Sequence, residues 1–178
     1  KYIGTVTHDI LQLLGDIGWP QFTELWQASH QQMVSRRLLA IGIEPENLTQ
    51  ANQKVAQAID TVLQSSRAQW LFDNEHRDAH SELPLSAILD GETVNVILDR
   101  TFSDTEGVRW IIDFKTSEHL EADLAGFLDI QVERYQPQLA RYAEIYSLIK
   151  PMPTKLALYF PLHDAWREWD FEQSEVPR

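Results

Sequence analysis

Apolar residues recur at helical spacing through the first third of the chain. In residues 2–15 they stand three or four positions apart, which predicts an amphipathic helix. Residues 21–42 and 45–65 predict two more helices, with Gly-Trp-Pro at 18–20 before the second and Pro45 in the first turn of the third. We therefore expect a helical layer over residues 1–72.

The hydrophobic period changes from about 3.6 to two in the middle of the chain. Residues 81–104 alternate and are divided at Asp90-Gly91, a dipeptide that favours a type I′ turn between antiparallel strands. A second turn at 103–107 leads into another apolar run at 108–116. The pattern predicts a meander of three antiparallel strands.

The remaining segments complete an α+β or mixed α/β pattern. An acid-rich stretch at 117–129 predicts a loop, residues 130–149 a helix, and residues 154–161 and 165–172 two further strands. Helices followed by strands, a helix and strands predict one domain over residues 1–178, with the sheet and its helix in 78–178.

The amino-acid composition excludes several classes of protein and of binding site. The chain has 178 residues and 43% hydrophobic content, enough for a sizeable core, and it has no cysteine, which excludes disulfides, thiolate zinc sites and iron–sulfur clusters on cysteine. A net charge of −12 argues against capture of nucleic acid by the overall field of the protein. No apolar run approaches the roughly 20 residues of a membrane span.

Two carboxylates and an amine stand at the ends of predicted strands. Asp113 and Lys115 share a strand face, and antiparallel pairing would bring Asp99 beside Asp113. Neighbouring carboxylates repel unless a cation lies between them, and oxygen ligands suit Mg²⁺ or Mn²⁺. Two acids and a lysine are suited to metal-assisted phosphodiester hydrolysis, in which the lysine orients water or neutralises developing charge.

Simpler interpretations stand beside this one. Asp-Phe-Lys alone is typical of a cross-strand ion pair at the solvent edge, His8 of a surface or capping histidine, and Glu82 of a solvated residue before a proline. A stripe of Gln and Tyr on the last helix either lines a substrate groove or lets its hydroxyls reach solvent from a partly buried face. It comprises Gln131, Tyr135, Gln138 and Tyr142.

Five short segments, taken in their order along the chain, favour the metal-dependent interpretation over the simpler ones. The strings GTVTH, ELPL, LDR, IIDFKT and QPQLARYA resemble, in their order, the nuclease domain of the RecB/AddA (exonuclease V beta subunit-like) helicase-nucleases, and the likeness covers the chain from about Gly4 to about Phe160. That class belongs to the PD-(D/E)xK phosphodiesterases. The resemblance implies a restriction-endonuclease-like core, in which a central mixed sheet containing the meander is flanked by helices.

The resemblance also implies roles for eight residues. Asp99, Asp113 and Lys115 would be catalytic, and Gln138, Tyr142 and Glu82 would support the site or contact substrate. The metal ligands would be His8, Asp99, Asp113 and the backbone carbonyl of Phe114. One position departs from the family pattern, since Val96 stands where a glycine is usual three residues before Asp99.

The resemblance further implies a Mg²⁺- or Mn²⁺-dependent deoxyribonuclease that processes DNA double-strand ends in recombinational repair. Its partners would be single-stranded DNA, helicase domains of the same chain that alone bind ATP, and a partner subunit, in the cytoplasm of a bacterium. The helical pattern that begins at once without Met favours a C-terminal fragment of that longer polypeptide.

Two alternatives remain open. One is an inactive nuclease-like module that binds DNA or a partner; Val96 and the acidic composition favour it modestly, and the intact acids Asp99 and Asp113 count against it. The other is a stand-alone resolvase or restriction-type enzyme with the same metal chemistry; such enzymes tend to dimerise and to carry basic surface, so length and charge disfavour it.

Overall fold

The computed structural model describes residues 1–118 and 122–172. Residues 119–121 of the predicted acid-rich loop, and residues 173–178 of the predicted domain, lie outside the described residues. The helices are α1 Tyr2–Ile17, α2 Trp19–Ala40, a 3₁₀ turn Pro45–Asn47, α3 Leu48–Gln64, α4 Ser66–Leu71 and α5 Leu124–Ile149. The strands are β1 Arg77–Leu89, β2 Glu92–Ser103, β3 Arg109–Phe114, β4 Thr154–Phe160 and β5 Ala165–Asp170.

The chain divides into two compact units. The first contains Lys1–Asn74, Phe114–Glu118 and Tyr159–Ala165, and the second contains Glu75–Asp113 and the described residues of 119–158 and 166–178. The last residues of β3 and β4 therefore belong to the first unit. The expectation of one domain over residues 1–178 stays a prediction.

The first unit contains the predicted helical layer. α1, α2 and α3 pack against one another, and the spacing seen in the sequence becomes a buried stripe on α1 that includes Val6, Ile10 and Leu14. α2 begins at Trp19, earlier than expected, because Pro20 in the first turn removes no intrahelical hydrogen bond. The short α4 was not predicted; the Ser65 hydroxyl caps it by accepting from the Ala68 amide at 3.0 Å.

The sheet has the strand order β1-β2-β3-β4-β5. β1 pairs antiparallel with β2 through Leu89↔Glu92 at the turn, and Asp90 and Gly91 have φ values of 52° and 81°, as a type I′ turn requires. β2 also pairs antiparallel with β3, so the predicted meander is confirmed.

β3 and β4 run parallel, which makes the sheet mixed. The Arg109 amide donates to the Pro153 carbonyl at 2.8 Å and the Lys115 amide to the Tyr159 carbonyl at 2.9 Å, so the two strands advance in the same direction. The Phe171 amide returns to the Thr154 carbonyl at 3.0 Å across the β4–β5 hairpin. The predicted mixed α/β fold is confirmed.

α5 begins at Leu124, inside the segment predicted to be a loop. The Asp123 carboxylate accepts from the Gly126 amide at 2.9 Å and caps the helix, a signal hidden among the other acids of that segment. All six residues of β3 are buried, so both faces of that strand are covered. Among residues 1–118 and 122–172, no helix is long and apolar enough to cross a membrane.

Candidate functional site

Strand register in the second unit aligns three carboxylates across three strands. The pairs Ser81↔Arg100 and Leu83↔Leu98 flank Glu82 and Asp99, which therefore lie opposite each other. Continuing the register from Arg100↔Ile112 by one residue sets Asp99 opposite Asp113. Because directly opposite residues of antiparallel strands project to the same face, we name Glu82, Asp99 and Asp113 the carboxylate row.

Glu82 has an unusual backbone conformation for a strand residue. Its φ is 51°, in the left-handed region, and the register of β1 has already shifted between Arg77 and His80. Such a conformation is uncommon outside glycine and persists only where the surroundings hold it. Carboxylate oxygens of Glu82 and Asp99 lie within 4.8 Å of each other. The bent end of β1 thus carries an acid to its neighbour on β2.

Asp113 and the helix α5 are electrostatically linked. Asp113 is 5% exposed. The pKa of Tyr142 is raised first by burial, then by the negative charge of Asp113, and to a smaller extent by Asp99. The Gln138 amide donates to the Tyr142 hydroxyl at 2.6 Å and opposes part of this rise. The structure therefore brings Gln138 and Tyr142 to the carboxylate row.

A second polar group, which sequence reasoning missed, holds α5 in place. Arg109 is fully buried, donates to the Asp78 carboxylate at 2.8 Å and carbonyl at 3.0 Å, and lies 4.5 Å from the ring centre of Tyr146. The Tyr146 hydroxyl donates to the Asp78 Oδ2 atom at 3.0 Å. The Nε2 atom of His80 is 2.8 Å from Oδ1, the other carboxylate oxygen of Asp78. We call Asp78, His80, Arg109 and Tyr146 the Asp78 cluster. An arginine inside the apolar run of β3 was the available signal.

The Asp78 cluster connects β1, β3 and α5. The hydrogen bond from His80, followed by those from Arg109 and Tyr146, lowers the pKa of Asp78 to about 2 against the opposing effect of burial. Tyr146 lies one helical turn beyond Tyr142. Fixing Tyr146 to β1 and β3 therefore also fixes the side of α5 that faces the carboxylate row.

The other predicted site residues, His8, Phe114 and Lys115, belong to the first unit, and the ring of Phe114 packs against the ring of His8. The Phe114 ring meets the imidazole of His8 edge-on at 6.1 Å between centres, and lies 6.2 Å from the rings of both Phe72 and Tyr159. Lys115 is partly buried, and its amide bonds to Tyr159 as described above. Aromatic packing thus restricts the end of β3 and the ring of His8.

Gly4 allows a close approach in the same unit. A Cβ atom built there would lie 2.7 Å from the Thr116 hydroxyl oxygen, closer than real Cβ contacts. Gly4 stands in the first turn of α1, one turn before His8, and Thr116 directly follows Lys115. The missing side chain lets α1 lie against the segment that carries the lysine.

The carboxylate row is chemically suited to a divalent cation. Its donors are carboxylate oxygens, which suit Mg²⁺ and Mn²⁺. Two oxygens bound to one Mg²⁺ at about 2.1 Å can stand at most about 4.2 Å apart. The separation of Glu82 and Asp99, within 4.8 Å, needs little side-chain movement to meet this limit.

A family model described as the PD-(D/E)XK nuclease superfamily matches residues 1–174. The chain belongs to this superfamily. Members of the superfamily are generally nucleases that use divalent metals, and the mixed sheet flanked by helices is consistent with their fold. The match supports nuclease and hydrolase activity at the level of the superfamily, and the RecB/AddA class is a finer assignment.

Ten solved chains also match. One, titled "Crystal structure of SSO0001", shares 16% sequence identity with a TM-score of 0.39, and the alignment covers 71% of this chain and 56% of that one. The chain thus spans little more than half the length of that protein. No curated protein matches.

Val96, at the position where a glycine was expected by resemblance, lies in the β1–β2 hairpin. It pairs with Leu85 and is partly buried, so its side chain contributes apolar contact to the hairpin. The alignment of the carboxylate row, which begins one pair beyond Leu83↔Leu98, is formed with this valine in place.

Proposed function

We propose that the protein is a Mg²⁺- or Mn²⁺-dependent deoxyribonuclease whose reaction takes place at the carboxylate row. The observation that carries the proposal is the alignment of Glu82, Asp99 and Asp113 across three strands of a chain that belongs to a nuclease superfamily. Three acids in one row repel one another unless a cation offsets their charge. A metal ion that offsets this repulsion would also serve phosphodiester hydrolysis, which accounts for the three acids.

Each of the predicted site residues has a proposed role. Asp99, Asp113, His8 and the carbonyl of Phe114 would hold the ion, with Glu82 as a supporting acid. The ion, when bound, would supply positive charge to the scissile phosphate and lower the pKa of a water. Lys115 would orient that water or neutralise charge developing on the phosphate. Gln138, through its hydrogen bond to Tyr142, would keep the Tyr142 hydroxyl directed towards the scissile phosphate.

The order of the five sequence segments supports a finer proposal. We infer a nuclease domain of an ATP-dependent helicase-nuclease of the RecB/AddA class, acting in recombinational repair in the bacterial cytoplasm. Helicase domains of the same polypeptide and a partner subunit would deliver a single strand. Delivery by a motor explains how a chain with net charge −12 can act on a polyanion.

The test compares two acids that differ in position. Asp113→Asn alters the row, whereas Asp170→Asn alters an exposed acid whose side chain is 75% accessible. With the full-length polypeptide and its partner, single-stranded DNA and Mg²⁺, we expect Asp113→Asn to slow degradation at least 100-fold and Asp170→Asn to leave it unchanged. EDTA should abolish degradation by the wild type.

Equal degradation by wild type and Asp113→Asn would refute the proposed site. If the wild type binds DNA but degrades none of it, the alternative of an inactive DNA- or partner-binding module is correct. Duplex cutting by a dimer without ATP would instead support a stand-alone resolvase or restriction-type enzyme.

A further inference from the structure

The basic and acidic residues of α5 lie on different sides of the helix. At 100° per residue, Arg134, Gln138 and Arg141 follow one another along one side of the helix, and all three are exposed. The acids of α5 lie on the other flank of the helix, and the nearest of them, Glu144, is about 60° around the axis from Arg141. They are Asp129, Glu133 and Glu144. In a chain with net charge −12, α5 thus presents a locally basic strip.

Neither arginine of this strip is neutralised by an ion pair with another described residue. Asp129, by contrast, is 3.3 Å from Arg167 on the far side. The Arg134 guanidinium lies 5.8 Å from the ring centre of Tyr135, the next residue along. An arginine beside an aromatic ring is a pairing that proteins use where a strand of nucleic acid is bound without sequence preference.

On the inward face of α5, the side chain of Tyr135 is less covered than those of Gln131 and Tyr142. Gln131 and Tyr142 lie on that face and are buried, at 7% and 9% exposure. Tyr135 stands between them on the same face but is only half-buried, and the adjacent Gln138 is exposed. Tyr135 is therefore partly exposed beside the basic strip, although Leu139, one turn later on the same face, is fully buried.

The partly exposed ring of Tyr135 lies on the same side of α5 as Tyr142, which is close to the carboxylate row. The Gln138 amide donates to the Tyr142 hydroxyl at 2.6 Å, and the pKa of Tyr142 is raised first by burial and then by the charges of Asp113 and Asp99. Tyr135 is seven residues before Tyr142, or about 10 Å along the helix axis. That distance corresponds to about three nucleotides of a stacked strand at about 3.4 Å each.

We propose that Arg134, Tyr135, Gln138 and Arg141 form a strand-binding flank that holds single-stranded DNA beside the carboxylate row. The arginines contact phosphates, and Tyr135 stacks on a base about three nucleotides from the row. A phosphate beside Gln138 then directs the strand towards Tyr142. The choice of DNA as occupant rests on the proposed function; the position of the flank rests on exposure, charge and distance.

Binding is measured without catalysis. Fluorescence anisotropy of a labelled 12-nucleotide oligothymidylate with the full-length polypeptide in EDTA gives Kd at 50 and 200 mM salt. We expect Tyr135→Ala to raise Kd about 5- to 150-fold, while Tyr135→Phe stays within about threefold of wild type because the ring remains. Arg134→Gln/Arg141→Gln should raise Kd at least tenfold at 50 mM salt and reduce the salt slope by about 1.4.

Matched controls separate local contact from overall charge. Arg36→Gln/Arg77→Gln removes the same charge from exposed positions on α2 and β1 and should change Kd less than twofold. Equal weakening by both double variants, or wild-type binding by Tyr135→Ala, would overturn the strand-binding flank. Weakened binding by the flank variants would support it even if the protein never cleaved DNA, an outcome that refutes only the proposed nuclease function.

Discussion

At the scale of single residues, Gly4 shows how an absent side chain can allow two segments to approach closely. Glycine in a helix is less stable than alanine by up to about 1 kcal/mol, so Gly4→Ala would ordinarily stabilise α1. Here the added Cβ would meet the Thr116 hydroxyl at 2.7 Å. The contact must be relieved by movement of α1 or of the segment that begins with Lys115.

We therefore predict that Gly4→Ala lowers kcat about tenfold or more while the KM for DNA changes little, because displacement by a fraction of an ångström affects the reacting groups more than strand binding. Steady-state kinetics on single-stranded DNA provide the measurement. Thr116→Ala removes the obstructing oxygen and should restore kcat when combined with Gly4→Ala. The idea fails if the double variant is as slow as Gly4→Ala alone.

Strand alternation was sufficient to select Asp99, Asp113 and Lys115 as candidates, because the period of two is a local property of the chain. The conformation of Glu82 could not be read in the same way. Its positive φ follows a register shift in β1, which depends on pairing with β2 rather than on neighbouring residues. The close approach of Thr116 to the position that a Gly4 side chain would occupy involves residues far apart in sequence and has no local signal either.

At the scale of secondary structure elements, the Asp78 cluster determines how α5 is attached to the sheet. Arg109 is a fully buried cation whose charge is offset by a carboxylate that is 47% exposed on the solvent side. A buried charge without its partner is strongly destabilising. The attachment therefore depends on Asp78 more than its exposure suggests.

We predict that Asp78→Ala lowers the free energy of unfolding by about 2–3 kcal/mol, somewhat less than for a fully buried pair because solvent reaches Asp78. Thermal denaturation provides the measurement, with a fall in Tm of about 4–12 °C expected. Asp170→Ala, at an exposed acid of β5, should change Tm by no more than about 1 °C. Comparable losses for the two variants would show that the cluster is not important for stability.

The same carboxylate gives a pH dependence with a defined sign. Its pKa is about 2 in the folded protein, below that of an unfolded chain, where aspartate titrates near 3.9. Its contribution to stability is therefore complete above about pH 4 and is lost as the pH falls towards 2. Tm measured from pH 5 to pH 2 should fall less steeply in Asp78→Asn than in wild type; parallel curves would contradict the assignment.

Elements with a long periodic pattern were predictable, and short or capped ones were not. α1, α3 and the Asp90-Gly91 hairpin follow from local spacing and turn chemistry. α4 is six residues long, too short to show a helical period. The first turns of α5 were assigned to a loop because the Asp123 cap lies in an acidic stretch.

At the scale of the whole molecule, the two compact units interleave in sequence. Phe114–Glu118 and Tyr159–Ala165 belong to the unit built mainly from Lys1–Asn74. A division of this kind leaves no linker and no change of composition, which are the signals that a sequence offers for unit boundaries. Only contacts made by the folded chain reveal it.

Metal binding should be visible in the stability of the whole chain. A ligand that binds only the folded state at 100 times its Kd adds about 2.7 kcal/mol, equivalent to about 5–11 °C in Tm. We predict such an increase with Mn²⁺ or Mg²⁺, its loss in Asp99→Asn, and its retention in Asp170→Asn. Differential scanning calorimetry would measure it, and an increase that persists in Asp99→Asn would locate the ion elsewhere.

The left-handed conformation of Glu82 strains the backbone of β1, while its side chain contributes a carboxylate to the row. Glycine adopts a positive φ without steric penalty, so Glu82→Gly could relieve up to about 1 kcal/mol of strain while deleting a carboxylate of the row. The same substitution at Asp90, in the hairpin turn, offers relief at no chemical cost. Laboratory evolution for heat resistance alone would therefore accept glycine at both positions, and under the proposed function only selection for turnover would keep the glutamate.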